Sequence, residues 1–404
     1  MNKIQASNPF FEIYSTPHGT VPFNLIKTEH YAPAIHEGIR RQNGEIDAII
    51  NNPDTPTFEN TIVPYEKSGE LLHRVNTVFG NLLSAETDDE LQELAREIMP
   101  LMSEHENNIS LNEKLFARIK TVYELADKAK LTPEQSKLLE DIYTGFVRNG
   151  ANLQGDAKEQ YRNLCKELSL LTLQFSENTL KETNDYRLVL TEKSQLSGLP
   201  ESAIDAAVET AQEKGVEGWV FTLHAPSYSP FMTYADNRDL RRELYMAYNT
   251  KCMHDNACNN LEIVKKIANI HMEIARLLGY DNFAEYNLKE RMAQNSDTVY
   301  KLLNQLLEAY TPTAQKEYDE VQALARSEEG ADFILMPWDW SYYSQKLKDR
   351  KFSINDEMLR PYFELSKVKE GVFGLASKLY GITFKKNADI PVYHKDVETS
   401  QKQN

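Results

Sequence analysis

The side chains that could do chemistry in this chain are tested first as metal ligands. A helical zinc site places two His at i and i+4, so that both imidazoles leave one helix face, with a Glu between them acting on the bound water. The nine His stand at 18, 30, 36, 73, 105, 224, 254, 271 and 394; the closest pair is six apart, and HExxH occurs nowhere in the 404 residues. His36-Glu37-Gly38-Ile39-Arg40 opens like the motif but ends on a cation, and His105-Glu106-Asn107-Asn108-Ile109 ends on an apolar side chain. Both are read as ordinary helix-surface residues. In Cys252-Met253-His254-Asp255-Asn256-Ala257-Cys258, His254 and Cys258 could share a helical face while Cys252 points elsewhere. Asp255-Asn256 reads better there as a helix start, its side chains accepting from free backbone N–H groups.

Other chemistries find less. Neither GxxxxGK[ST] nor GxGxxG is present to cradle a phosphate, and no GxSxG marks a nucleophile elbow. The densely aromatic Trp338-Asp339-Trp340-Ser341-Tyr342-Tyr343 is read as core, and acidic pairs such as Glu328-Glu329 as solvated faces. Residues alone thus give no catalytic residue, no metal ligand and no identifiable substrate-binding residue.

The elements that would carry a site are mostly helical. Phe58, Ile62, Tyr65, Leu72, Val75, Phe79 and Leu82 recur at helical spacing, with Pro64 obscuring where that helix starts. Asp88-Asp89-Glu90 opens one helix, and Thr132-Pro133-Glu134-Gln135 supplies an N-cap, a first-position Pro and a capping-box Gln for another. Pro100 is expected to kink or split the Leu91–His105 pattern. Tyr186–Leu190 and Trp219–Leu223 read as strands around a helix Glu201–Lys214. Helices resume from Asn237 to about Leu278, with Gly279 as the stop, and Ser296-Asp297 caps a long helix ending near Gly330. A helix near Val368–Tyr380 precedes short strands around Ile382–Phe384 and Ile390–Tyr393. The fold class is mainly α with a small β contribution, without internal repeats.

Composition bounds the function. The chain is 41% hydrophobic and 26% charged, and its 45 Lys+Arg against 61 Asp+Glu leave a net charge of −16. A phosphate backbone or an anionic membrane surface would repel it, so neither nucleic acid nor membrane is expected as a partner. No stretch approaches the roughly 18 apolar residues of a membrane span. Three cysteines (Cys165, Cys252, Cys258) argue against a disulfide framework. With no apolar signal segment at Met1–Pro9, the cytoplasm is the expected compartment.

A series of strings, in order, resembles the thimet-oligopeptidase-type zinc peptidases, and most of all bacterial peptidyl-dipeptidase. They are the segment Phe23–Ala34 (FNLIKTEHYAPA), Pro56-Thr57-Phe58-Glu59-Asn60-Thr61-Ile62, Ser68-Gly69-Glu70-Leu71-Leu72, the segment Gly145–Ala151 (GFVRNGA) and the segment Leu277–Ala284 (LLGYDNFA). Pro337-Trp338-Asp339-Trp340 follows, then Tyr342-Tyr343, Leu359–Leu365 (LRPYFEL) and Pro391-Val392-Tyr393-His394. The resemblance spans about Phe23 to Val397. It implies helical lobes of a two-lobed channel peptidase that admits short peptides and removes dipeptides from a free C-terminus. It also implies a zinc held by HExxH and a downstream Glu in the complete enzyme, none of which carries over onto a position here.

The expectations are therefore these. Residues 1–23 form an irregular arm, 24–185 a helical region, 186–295 a mixed then helical region, 296–397 a helical region with the PWDW segment and short strands, and 398–404 a polar tail. The fold is incomplete at the C-terminus, no zinc is bound by this chain, and the chain alone is inactive. Its partners are short peptides and a missing C-terminal catalytic segment. The alternatives are a non-catalytic peptide-binding pseudo-peptidase module, or a half-enzyme completed by a second chain.

Overall fold

The computed structural model describes residues 8–127, 130–353 and 356–403. Residues 1–7 of the expected arm and Asn404 of the expected tail lie outside them. The described chain is mainly α-helical and divides into two compact units. One comprises the chain up to Leu173, Ile267–Phe283 and the chain from Leu375 onward; the other comprises Gln174–Lys266 and Ala284–Gly374.

Seven helices come first: α1 Tyr31–Ile50, α2 Val63–Lys67, α3 Glu70–Ala85, α4 Asp89–Ser110, α5 Glu113–Leu125, α6 Pro133–Arg148 and α7 Asp156–Asp185. Helices α1, α3 and α4 close over one apolar cluster. Its centre is Phe10, Tyr31 and Phe79, with ring centroids 5.3 Å apart in both the Phe10–Tyr31 and Tyr31–Phe79 pairs. Each such ring contributes about 1.5–3 kcal/mol by burial. The arm is thus anchored by Phe10, which is wholly buried. A second cluster joins the end of α1 to α5 and α6 through Ile49, Phe58, Ile62, Ile119 and Phe146.

The Phe58–Leu82 pattern is not one helix. A π-helical turn, Phe58–Ile62, leads into α2 with Pro64 in its first turn, and the chain breaks at Ser68-Gly69 before α3. Pro100, by contrast, does not split α4. Its missing N–H removes one internal hydrogen bond, but Leu91, Ala95, Ile98 and Met102 remain buried on both sides of it. The Thr132 cap forms as read, with its hydroxyl accepting from Gln135 N–H at 3.2 Å and the Gln135 side chain accepting from Thr132 N–H at 2.9 Å.

In the other unit, β1 Leu188–Leu190 pairs antiparallel with β2 Trp219–Phe221, with Val189 opposite Val220. Helices α8 Glu201–Glu213 and α10 Arg238–Asn249 follow the expected order, α9 Ala225–Tyr234 stands between them unannounced by the sequence, and Leu190, Phe221, Phe231 and Leu244 lie in the core. The helices expected from Asn237 to Leu278 are two, α10 and α11 Leu261–Leu277, with a turn between them. Cys252 takes a left-handed φ of 58°, and α11 starts after Asn259 accepts from Leu261 N–H. Asp255-Asn256 is therefore not a helix start; Asn256 instead accepts from Cys258 N–H at 2.8 Å, closing a turn.

Next come α12 Phe283–Leu288, α13 Ser296–Glu329, α14 Trp340–Phe352, α15 Asp356–Leu359 and α16 Leu365–Tyr380. The cap of α13 is Asn295, one residue before the expected one. Strands β3 Thr383–Lys386 and β4 Ser400–Gln403 pair antiparallel. Ile390–Tyr393 is not a strand, and the polar tail supplies one instead. Both strands are largely solvent-facing, so backbone bonds can pair them without alternating apolar residues.

Candidate functional site

The first unit contains a cavity of about 1210 Å³, walled by α1, the α2–α3 break, α4, α6 and α7. Two strings singled out in the sequence meet on it: Ser68, Gly69 and Glu70 from one, Gly145, Phe146 and Asn149 from the other. Between them lies a directed hydrogen-bond chain. Ser68 Oγ donates to the Tyr65 carbonyl at 2.7 Å, an acceptor that cannot reverse the bond. Ser68 Oγ is then free to accept, and Gln42 Nε2 donates to it at 3.4 Å. That orientation turns Gln42 Oε1 toward His105 Nε2, at 2.7 Å. Nε2 must therefore carry the proton, which leaves His105 Nδ1 a bare lone pair.

Gly69 makes this arrangement possible. Its φ is +75°, and a Cβ there would lie 2.4 Å from Gln42 Nε2. Its N–H donates to Glu45 Oε2 at 2.8 Å, which fixes the turn.

His105 is only 4% exposed, so it is not the surface residue the sequence suggested. Burial holds its pKa below the usual imidazole range and keeps it neutral. The adjacent Glu106 lines the cavity but remains exposed, and partial desolvation raises its carboxyl. Burial likewise raises the Cys165 thiol, against the lowering effect of bonds to Tyr161 and Asn107, and pushes Tyr65 up to about 12. A raised thiol is a poor nucleophile at neutral pH. The cavity wall thus offers neutral hydrogen-bonding groups and carboxylates, and it lacks an activated nucleophile. Nothing in the sequence announced it, because Gln42 and His105 are 63 residues apart and follow no motif.

The aromatic segment read as core is buried only in part: Asp339, Tyr342 and Tyr343 are buried, whereas Trp338 is half-buried and Trp340 is 41% exposed. Asp339 is fully buried and receives Arg238 Nη2 at 2.7 Å and Arg241 Nη2 at 3.0 Å. Burial alone would raise its carboxyl, but bonds from Arg238, the Met336 N–H and Arg241 outweigh that and hold it low. Arg241 also lies over the Tyr342 ring, 4.0 Å from the centroid. Glu328 and Glu329 are not a free solvated face: Glu328 pairs with Lys346 at 2.9 Å and also with Arg350, while Glu329 accepts from Tyr343 at 2.9 Å.

The metal-like segments do not assemble. His36 is exposed on α1. Cys252 and Cys258 are buried while His254 is exposed, and the Cys252 N–H donates to Glu182. No group of three or more His, Cys, Asp or Glu among the described residues could hold a metal ion. The described residues therefore do not supply a zinc donor set.

Comparison with known proteins gives the context. The model of Peptidase family M3 matches residues 231–401. Dipeptidyl carboxypeptidase of Escherichia coli (strain K12) is 35% identical over 392 residues, 96% of this chain and 57% of that protein. Oligopeptidase A of Salmonella typhimurium is 33% identical over 395 residues, and saccharolysin of Saccharomyces cerevisiae 25% over 378. The chain spans a little more than half the length of these relatives. Over nearly its whole length this chain is thus similar to peptidases of the thimet-oligopeptidase type, and its residues 231–401 match peptidase family M3.

Proposed function

We propose that this chain is the peptide-handling portion of a cytoplasmic peptidase that releases dipeptides from the C-termini of short peptides, and that alone it does not hydrolyse them. One observation carries the reading: identity to a dipeptidyl carboxypeptidase runs through 96% of the chain, whereas its described residues offer no zinc donor set. In such an enzyme zinc polarises the scissile carbonyl and lowers the pKa of bound water, with a Glu as general base. No step of that kind is drawn through the residues present here. Their part is to bind and orient, which neutral, fixed donors and acceptors such as Gln42, Ser68 and His105 can do at little reorganisation cost. The compartment is supported by three unpaired cysteines and by a relative named probable cytosolic oligopeptidase A.

The test is product release. Purified chain, incubated with a blocked tetrapeptide and zinc, is expected to yield no dipeptide above a buffer control. Dipeptide release that a chelator abolishes and zinc restores, in material free of host peptidases, would overturn the reading.

The cavity favours a second reading, a peptide-binding module that acts without hydrolysis. Saturable peptide binding by a monodisperse chain that melts cooperatively would support it.

A further inference from the structure

We propose that the cavity of the first unit binds a primary ammonium group, held by a hydrogen bond to His105 Nδ1 and by the carboxylate of Glu106. This deepens the peptide-binding reading of the same cavity and rests on it.

Three observations converge. First, the relay from the Tyr65 carbonyl through Ser68 and Gln42 commits the His105 proton to Nε2. Nδ1 is then an acceptor, and it has no partner among the described residues although the residue is 96% buried, at 4% exposure, on the cavity wall. Nδ1 is not among the fully buried unpartnered side-chain atoms, so it keeps contact with solvent and a donor that enters the cavity can reach it. Second, Glu66, Glu70 and Glu106 line the cavity and form no ion pair among the described residues, against Lys67 as a lining cation. Asp141, also on the wall, is already paired with Lys137 at 2.6 Å. An anionic ligand would meet repulsion from the carboxylates and a lone pair at Nδ1. Third, about 1210 Å³ is ample for the end of a short peptide.

These features select a positively charged N–H donor. Burial keeps His105 neutral, so it does not compete for the negative field. The ammonium could come from a peptide N-terminus or from a lysine side chain, and the experiment separates the two.

The probes are trialanine amide, acetyl-Ala-Lys-Ala amide and, as neutral control, acetyl-trialanine amide. Binding to the full chain is followed by calorimetry and by long-range ¹H–¹⁵N spectra of histidine-labelled protein. In the free chain Nδ1 of His105 is expected as the unprotonated nitrogen. One or both cationic probes should bind saturably and move that resonance upfield, and the neutral control should do neither. Glu106→Gln should weaken binding about tenfold or more with unchanged melting, and His105→Phe should abolish it. If His105→Phe does not fold, Glu106→Gln and the Nδ1 shift decide. The proposal is overturned if the control binds as well as the cations, if neither cation binds, or if Glu106→Gln leaves affinity unchanged.

Discussion

Arg241 and Asp339, 98 residues apart in sequence, meet at 3.0 Å with side-chain exposures of 1% and 0%. The pair is embedded in further bonds: Arg241 Nη1 donates to the Ala235 carbonyl at 2.7 Å, and Asp339 Oδ2 accepts from the Met336 N–H at 3.0 Å. Such a pair adds little net stability when intact, but removing one partner strands a buried charge. Asp339→Ala is therefore expected to lower unfolding stability by about 3–5 kcal/mol, measured by urea denaturation. Arg238→Ala should cost less, because its side chain is 42% exposed and water can replace it. Equal losses in the two variants would contradict this account.

A smaller change tests the α2–α3 break. At Gly69, Ala must adopt a left-handed φ, at about 1–2 kcal/mol, and its Cβ would sit 2.4 Å from Gln42 Nε2. The Gln42 amide can swing away, and His105 Nε2 then loses its acceptor. Gly69→Ala should thus lower the melting temperature and blur the single tautomer of His105 in ¹⁵N spectra. A variant with an unchanged His105 signal would separate the glycine from the relay.

Gly38 tests packing without unusual backbone. It lies on α1, where a Cβ would come within 2.9 Å of Leu72 Cα and 3.0 Å of Leu72 Cβ on α3. Backbone cannot yield as a side-chain tip can, so α1 and α3 must part. Gly38→Ala is expected to destabilise by about 1–3 kcal/mol despite the better helix propensity of Ala. Chemical denaturation reads it directly, and a stabilised variant would mean the helices slide freely.

Much of this was legible where local chemistry decides. Thr132 caps α6 because its hydroxyl and Gln135 need no distant partner, and the Leu188–Leu190 and Trp219–Phe221 strands carry their own apolar, β-branched or aromatic residues. Legibility failed where a distant element intervenes. Buried neighbours keep α4 continuous through Pro100, and β4 forms from polar residues because β3 supplies its hydrogen bonds. His105 was misread for the same reason: no local pattern says that Gln42 will cover it.

The last prediction concerns acid. His30, His105 and His271 all lie in the first unit, and burial lowers the pKa of each below 6.5. His30 Nδ1 accepts from the Lys27 N–H at 3.0 Å, and the His271 ring stacks on Phe283 at 4.0 Å. Protonation is thus easier in the unfolded chain, which binds more protons once the pH drops below about 6.5. The stability these groups contribute is fully present above that pH and is lost as pH falls through their depressed native values. Carboxylates act in a separate, lower window: Glu37, held at about 2 by hydrogen bonds from Arg40 and Arg41, yields its contribution only below about 4.5. The melting temperature should therefore be level from about pH 8 to pH 7 and decline from about pH 6.5 to pH 5. His105→Gln, which removes one titrating ring while keeping an amide near Gln42, should make that decline shallower. A wild-type melting temperature that stays level down to about pH 5 would mean the buried rings accept protons as readily in the fold as in the open chain.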